Sequence, residues 1–248
     1  MAAYDFSSCR LFVDQPLGTG ERIVLDRDQA NYLTNVLRLR EGQGFLAFNG
    51  RDGEWQAVLA GGNRKAPEAQ VGAQTRPQPP AGDLWYLFAP LKSARLDYMV
   101  QKATEMGASR LLPVMTRRTN AARVNLERMR ANTVEAAEQC GILSVPEVAG
   151  EVRLDALLAA WPAGRTLVFC DEDAPITSPL AALSSLAKGS PLAVLIGPEG
   201  GFDPSERDIL LKLPNVLRLT LGPRILRADT AAVVALTLVQ ASCGDFDG

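Results

Sequence analysis

Two glycine-broken segments in the last fifty residues have the composition of a ligand-binding pocket. The apolar run Leu192–Ile196 leads into Gly197–Gly201, here called the first loop, and the run Val216–Leu221 leads into Gly222–Arg227, the second loop. Each pattern predicts a buried strand that ends at a Gly-Pro turn. Because ligands of open α/β sheets bind beyond the carboxyl ends of the strands, the pair predicts a cofactor pocket built mostly from main chain.

Histidine is absent from all 248 residues. Ser-His-Asp and Cys-His mechanisms and histidine-ligated metals are therefore excluded. The four cysteines lie far apart and never form a CxxC pair, which argues against a cysteine zinc site and indicates reduced thiols. We expect no metal, and a general base drawn from another residue type or from water.

Motifs for polyphosphate cofactors are missing as well. No segment matches the Walker pattern GxxxxGK[ST], and Gly18-Thr19-Gly20 fails as a dinucleotide fingerprint because Ile23 stands where the third glycine belongs. A purine-bearing cofactor without a polyphosphate fits the two loops better. Main-chain groups can read an adenine edge while apolar side chains cover its ring.

The overall charge hides a basic stretch. The chain carries a net charge of −2, yet nine basic and only three acidic residues lie between Lys92 and Arg130. Such a stretch can bind phosphates whatever the total charge. A solvated helix surface explains it equally well.

Composition and the amino terminus indicate a soluble protein of the cytoplasm. The 47% apolar content is ordinary, and no apolar run approaches the length of a membrane span. The first residues lack the basic and apolar regions of a secretory signal. We expect no membrane partner.

A change in the length and spacing of the apolar runs predicts two domains separated by a linker. Residues 1–75 contain short apolar runs punctuated by glycine, which predicts a small β-barrel with one helix over residues 28–39. Residues 76–83 hold three prolines and read as the linker. Residues 84–248 alternate strands and helices, which predicts an α/β domain with a largely parallel sheet. Its predicted strands cover 84–89, 111–115, 166–170, 192–196 and 216–221, and its helices start at a Ser93 cap, at Asn125, after an Asp203 cap, and at Ala231.

The two loops resemble the RsmE family of SPOUT-class RNA methyltransferases. The resemblance lies in Ile196–Phe202 and Leu221–Ala231, and further matches are Lys102–Gly107, Glu135–Cys140, Arg10–Phe12 and Val36–Arg38. It implies a PUA-like barrel followed by a trefoil-knotted α/β domain that forms a homodimer. It also implies methyl transfer from S-adenosylmethionine to N3 of a uridine in small-subunit (16S) ribosomal RNA.

Three positions depart from the family pattern. Asn31 stands where a histidine is expected in the barrel helix. Ile142 stands where an arginine commonly follows the Gln-Cys-Gly run, and Asp229 stands where glutamate is usual. The first two changes remove possible RNA contacts. Asp229 retains its charge and can still cap the helix that follows.

The resemblance also implies the site residues. The cofactor would be held by residues of both loops and their strands: Leu195, Ile196, Gly197, Pro198, Glu199, Gly200, Leu219, Leu221, Gly222, Arg224, Ile225 and Leu226. Glu199 could contact the cofactor or fix its own turn. The candidates for RNA binding are Arg10, Arg38, Arg40, Lys92, Arg95 and Lys102.

The expected reaction assigns a role to an arginine. Deprotonation of uracil N3 spreads negative charge onto its carbonyl oxygens, and a guanidinium can stabilise that charge by forked hydrogen bonds. Arg10 or Arg227 is the candidate for this catalytic role. Arg10 could instead be a charge on the barrel surface, and Arg227 could pair with Asp229.

Other functions remain open at this point. The chain could be a non-catalytic RNA-binding or ribosome assembly factor, a methyltransferase with a different RNA target, or an α/β enzyme of a small metabolite. The apolar carboxyl-terminal helix fits a dimer interface, although burial within one chain explains it equally well.

Overall fold

The computed structural model describes residues 8–63, 66–120, 123–175 and 178–246. The chain divides into two compact units, one of residues 1–80 and 137–145, the other of residues 81–136 and 146–248. The segment 137–145 belongs to the first unit although it lies far along the chain. The domains predicted from composition are contiguous stretches, so that prediction did not place residues 137–145 with the first unit.

The first unit is built on a five-stranded sheet. Its strands follow the order β1-β3-β4-β5-β2, with β1 and β3 parallel and the other pairs antiparallel. The bounds are β1 (Arg10–Phe12), β2 (Arg22–Val24), β3 (Gly44–Phe48), β4 (Glu54–Asn63) and β5 (Ala66–Arg76). Register shifts between the long strands β4 and β5 bend the sheet.

Alternating apolar residues bury one face of this sheet. Ile23, Phe45 and Ala57 are fully or almost fully buried there. Four of these strands, β1 to β4, overlap the apolar runs of the sequence at residues 11–13, 23–25, 45–48 and 55–59. The fifth, β5, was not predicted because its alternation of Ala, Gln and Gly carries little apolar signal, and pairing with β4 decides its conformation.

The helix predicted over residues 28–39 is shorter than expected. α1 (Arg27–Asn31) begins at a capping box of Asp26 and Gln29, and a π-helical turn (Tyr32–Val36) continues it. Leu33 is the buried anchor of that turn. Helical geometry then ends, since Arg38 adopts a left-handed φ of 58°.

The second unit is built on a parallel seven-stranded sheet. Its order is β12-β10-β11-β6-β7-β8, and β9 pairs with β7. The bounds are β6 (Leu84–Phe88), β7 (Arg110–Met115), β8 (Glu147–Val148), β9 (Val152–Arg153), β10 (Thr166–Cys170), β11 (Leu192–Ile196) and β12 (Val216–Leu219). The central strand β11 is buried along its whole length, as a sheet covered on both faces requires.

The described part of the chain contains six further helices. They are α2 (Ser93–Glu105), α3 (Leu126–Cys140), α4 (Leu154–Ala159), α5 (Pro179–Leu183), α6 (Pro204–Leu210) and α7 (Ala228–Cys243). The Asp203 cap is confirmed as a capping box with Glu206. The predicted Ser93 cap is wrong, because Lys92 occupies the cap position and its side chain makes no capping bond. No helix in the described part of the chain is long and apolar enough to cross a bilayer.

The α/β class and the parallel sheet are confirmed. The trefoil knot stays a prediction.

Candidate functional site

The strand order brings the two glycine loops together. β11 and β12 lie on either side of β10 in the parallel sheet, so the loops that follow them leave the same edge. A cavity of about 920 Å³ lies at this edge, and every residue of both loops lines it. The two loops therefore meet at one cavity, as the strand pattern predicts.

Eleven of the twelve predicted cofactor residues line the cavity, and Arg227 lines it too. The exception is Leu195. Its side chain is buried in the hydrophobic cluster with Phe169, while Ile196 belongs to the cluster of the opposite face. Side chains alternate along a strand, so only one of these two neighbours can face the pocket.

Two glycines fit the loops for different reasons. A Cβ on Gly197 would lie 2.5 Å from the ring of Phe202, which packs edge-on against Phe169 at a centroid distance of 5.2 Å. Gly222 has no such neighbour but adopts a φ of 100°, which side chains disfavour. The first loop thus needs space and the second needs backbone freedom.

The turn after β10 is a third wall that sequence reasoning missed. Asp171, Glu172 and Asp173 line the cavity beside the two loops. The signal was present, because strand 166–170 was predicted and these residues follow its carboxyl end.

Asp171 links the elements around the cavity. It is 6% exposed, and its Oδ2 lies 2.9 Å from Nη2 of Arg207 on α6 and 2.7 Å from Nη2 of Arg218 on β12. Its own N–H donates to the carbonyl of Leu219 at 2.9 Å. One buried carboxylate therefore fixes α6 and β12 to the end of β10.

Protonation of Asp171 follows from these contacts. Burial by itself would raise the pKa of the carboxyl, but hydrogen bonds from Arg207 and Arg218 outweigh it and lower the pKa. A carboxyl with a lowered folded-state pKa adds stability above its unfolded pKa, and this stability is lost as the pH falls through the folded value. Asp171 is therefore ionised and bound to both arginines at neutral pH, and these ion pairs are lost only in acid.

We expect Asp171→Asn to destabilise the second unit by about 2 kcal/mol, since two charge-assisted hydrogen bonds are weakened. The loss is measured as a shift of the urea unfolding midpoint. Asp155→Asn is the matched control, because Asp155 pairs with Arg153 on an exposed helix end and should leave the midpoint unchanged. Equal midpoints for the two variants would contradict the role given to Asp171.

An ion-pair group closes one side of the site. Arg95 on α2 pairs with Glu199 of the first loop, and its Nε lies 4.0 Å from Oδ2 of Asp229 at the start of α7. Neither role expected for Glu199 includes this arginine. Among the described residues no ion pair joins Arg227 to Asp229, so the alternative pairing of Arg227 is not observed.

The arginines in and beside the two loops differ in their contacts. Arg118 donates from Nη1 to the carbonyl of Gly200 at 2.9 Å. Arg224 and Arg227 are exposed and form no ion pair with any residue that the structure describes. Ile225 lies between them in the sequence. It is 92% exposed and also lines the cavity.

Arg10 is placed in the first unit and is not one of the cavity residues. It is 6% exposed, and its Nε lies 2.8 Å from Oε2 of Glu54. Arg76 binds the same carboxylate at 2.7 Å. Burial raises the pKa of Glu54, but hydrogen bonds from Arg76, Thr75 and Arg10 outweigh it and lower the pKa. This buried ion-pair network argues against Arg10 as a catalytic or RNA-binding residue.

The other basic candidates divide into paired and unpaired side chains. Arg95 is held by Glu199, and Lys102 Nζ lies 2.7 Å from Glu105. Arg38, Arg40 and Lys92 are exposed. Only the exposed three present charge to a partner without first breaking an ion pair of the described structure.

The side chains that the structure describes are not assembled for metal or thiol chemistry. Within the ranges that the structure describes, no three His, Cys, Asp or Glu side chains group closely enough to hold a metal ion. Cys170 lines the cavity, but burial and the neighbouring Asp171 raise its pKa to about 12. Its thiol is therefore neutral at physiological pH and a poor nucleophile.

Family models match both parts of the chain. Residues 77–240 match a model described as an RNA methyltransferase domain, and residues 25–72 match an RNA methyltransferase PUA domain. The first of these covers well over half of the chain.

Relatives and solved structures agree with those models. The ribosomal RNA small subunit methyltransferase E of Rickettsia conorii is 28% identical, over 93% of this chain and 94% of the relative. The protein of the same name from Mycobacterium bovis is 30% identical, over 95% and 92%. A crystal structure of that methyltransferase from Neisseria gonorrhoeae, bound to S-adenosyl methionine, has a TM-score of 0.86 at 24% identity, over 96% and 99%.

Proposed function

Since the chain belongs to the ribosomal RNA small subunit methyltransferase E family, we propose that it methylates N3 of a uridine in small-subunit ribosomal RNA with S-adenosylmethionine as the methyl donor. The observation that carries the proposal is the cavity at the carboxyl edge of the parallel sheet. Two glycine loops form its walls, as the purine-bearing cofactor predicted from the sequence requires. A purely RNA-binding factor has no need of such a cavity.

The residues present fit this cofactor. A volume of about 920 Å³ is within the range of small-molecule sites, roughly 300–1,000 Å³. Gly197, Gly200 and Gly222 leave peptide groups accessible for an adenine edge, and Leu221 and Leu226, which are half-buried, offer apolar surface for its ring. When bound, S-adenosylmethionine supplies an electrophilic methyl group on its sulfonium.

Arg227 is the catalytic residue of the proposal. Uracil N3 carries a proton that must leave to water or a base, and the resulting negative charge spreads onto the two flanking carbonyl oxygens. Arg227 lines the cavity at the cap position of α7, with its side chain exposed and its charge unpaired among the described residues. Its guanidinium, together with the positive end of the helix dipole, would stabilise that charge as it develops.

The proposal includes a homodimer and a cytoplasmic location. A surface groove between α2 and α7 is lined by Tyr98, Val233 and Val234, and Tyr98 is 47% exposed. Apolar surface of this kind suits a second copy of the chain. Sedimentation that shows only monomer at micromolar concentration would exclude this part.

We propose that the first unit, with exposed Arg38 and Arg40, contributes to RNA binding.

The reaction is tested with labelled S-adenosylmethionine and small ribosomal subunits from a strain that lacks this gene. We expect label in the small-subunit RNA, and nuclease digestion should release it as N3-methyluridine. The failure of purified protein to label subunits or naked RNA would overturn the proposal. Calorimetry separates the non-catalytic alternative, since a pure RNA-binding factor shows no saturable uptake of S-adenosylmethionine.

A further inference from the structure

The second loop presents an unusual surface. Ile225 is 92% exposed, whereas the next most exposed large apolar side chain of the described residues, Val36, is 60% exposed. The loop lies outside any helix or strand, between β12 and α7. A single exposed apolar residue is ordinary, but this one is part of the wall of the candidate active site.

Its neighbours indicate the kind of partner. Arg224 and Arg227 flank Ile225, and both are exposed with no ion-pair partner among the residues described. Arg118, also on the cavity wall, adds a third guanidinium beside the first loop. Unpaired cations on both sides of an apolar side chain match a nucleic acid, which offers phosphates beside stacked bases.

The proposed reaction makes a demand that such a loop can meet. N3 lies on the pairing edge of uracil, so it is inaccessible while the base is paired. An enzyme that modifies such an atom must take the base out of its helix or receive it already unpaired. Apolar side chains that enter a base stack stabilise the opened arrangement in other nucleic-acid complexes.

We infer that the second loop is the RNA-reading element of this site. Ile225 packs against a base next to the extruded uridine, and Arg224 binds a phosphate of the same strand. The inference rests on the proposed function and assigns the Ile225 side chain to the RNA, while the peptide groups of the loop remain with the cofactor. Arg227 keeps its place at the reacting base.

A second copy of the chain is the competing occupant. A dimer interface could also cover Ile225, but it would bring two sets of exposed arginines close together unless acidic residues met them. The unpaired charge of Arg224, within the described part of the chain, therefore favours RNA. Sedimentation of the variants decides this point directly.

The test uses Ile225→Ser and Arg224→Gln in the full chain. Binding to small ribosomal subunits is measured by filter retention with S-adenosylhomocysteine present, so that no turnover is needed. We expect each variant to weaken RNA binding roughly tenfold, as burial of an isoleucine or a charged hydrogen bond implies. Arg224→Gln should also reduce the slope of log affinity against log salt by about 0.7. Affinity for S-adenosylmethionine should not change.

Two matched controls lie outside the cavity. Ile209→Ser removes an isoleucine that is 45% exposed on α6, and Lys212→Gln removes an exposed charge just beyond the same helix. Both should bind RNA as the unchanged chain does.

Each outcome decides the inference. Unchanged RNA affinity in Ile225→Ser and Arg224→Gln overturns it, as does a shift of Ile225→Ser to monomer, which would assign the loop to the dimer. A loss of S-adenosylmethionine affinity in Ile225→Ser would return its side chain to the cofactor. Failure of the proposed function is a separate result, in which the wild-type protein methylates no RNA at all.

Discussion

Arg227→Gln is expected to lower kcat for ribosomal RNA methylation by about 100- to 1,000-fold, the range seen when a donor to a developing oxyanion is removed. The physical reason is that, in the proposed reaction, the guanidinium faces negative charge that exists only as N3 loses its proton. Arg227 is exposed at the cap position of α7, and no described carboxylate neutralises it. The affinity for S-adenosylmethionine should change little, because the loop backbone is retained.

The measurement is a single-turnover rate with subunits in excess, accompanied by calorimetry of cofactor binding. Arg153→Gln is the control, since Arg153 is an exposed residue outside the cavity and should keep the full rate. Arg227→Lys should recover part of the rate, as a point charge replaces a fork. A rate within a few-fold of the unchanged chain for Arg227→Gln would remove the residue from the catalytic step.

The second large effect is expected at Gly197. In Gly197→Ala the new methyl group would lie 2.5 Å from the Phe202 ring, so that either the ring or the first loop must move. Phe202 is held by Phe169, and the loop is therefore the part that yields. Overpacking costs about 1–3 kcal/mol. If this cost falls on the binding-competent loop, affinity for S-adenosylmethionine drops roughly 10- to 100-fold.

Calorimetric titration with S-adenosylmethionine tests the Gly197 prediction. The control Gly150→Ala adds a methyl group where nothing lies within 4 Å, and it should bind normally. The double variant Gly197→Ala, Phe202→Leu should regain affinity, because the smaller side chain makes room. Normal binding by Gly197→Ala alone would show that the close approach has no functional consequence.

Local pattern determined much of this molecule. Buried strands such as Leu192–Ile196 are continuous apolar runs, and the Asp203 cap follows from an Asp-Pro-Ser-Glu sequence, so short-range chemistry specified both. The two Gly-Pro turns were enough to predict where the cavity lies, because main chain left bare after a parallel strand is typical of ligand-binding loops. β5 escaped prediction because its residues carry little apolar alternation and its conformation depends on pairing with β4.

Tertiary contacts decided which charged residues are available. Arg10 and Arg227 are equivalent in sequence terms, yet folding buries Arg10 against Glu54 and leaves Arg227 exposed at the cavity. The same holds for Asp171, whose partners Arg207 and Arg218 lie dozens of residues away along the chain. A pattern along one chain reports hydrophobic period and turn chemistry, which are local. Ion pairing and exposure depend on which distant segments meet, and only the assembled sheet determines that.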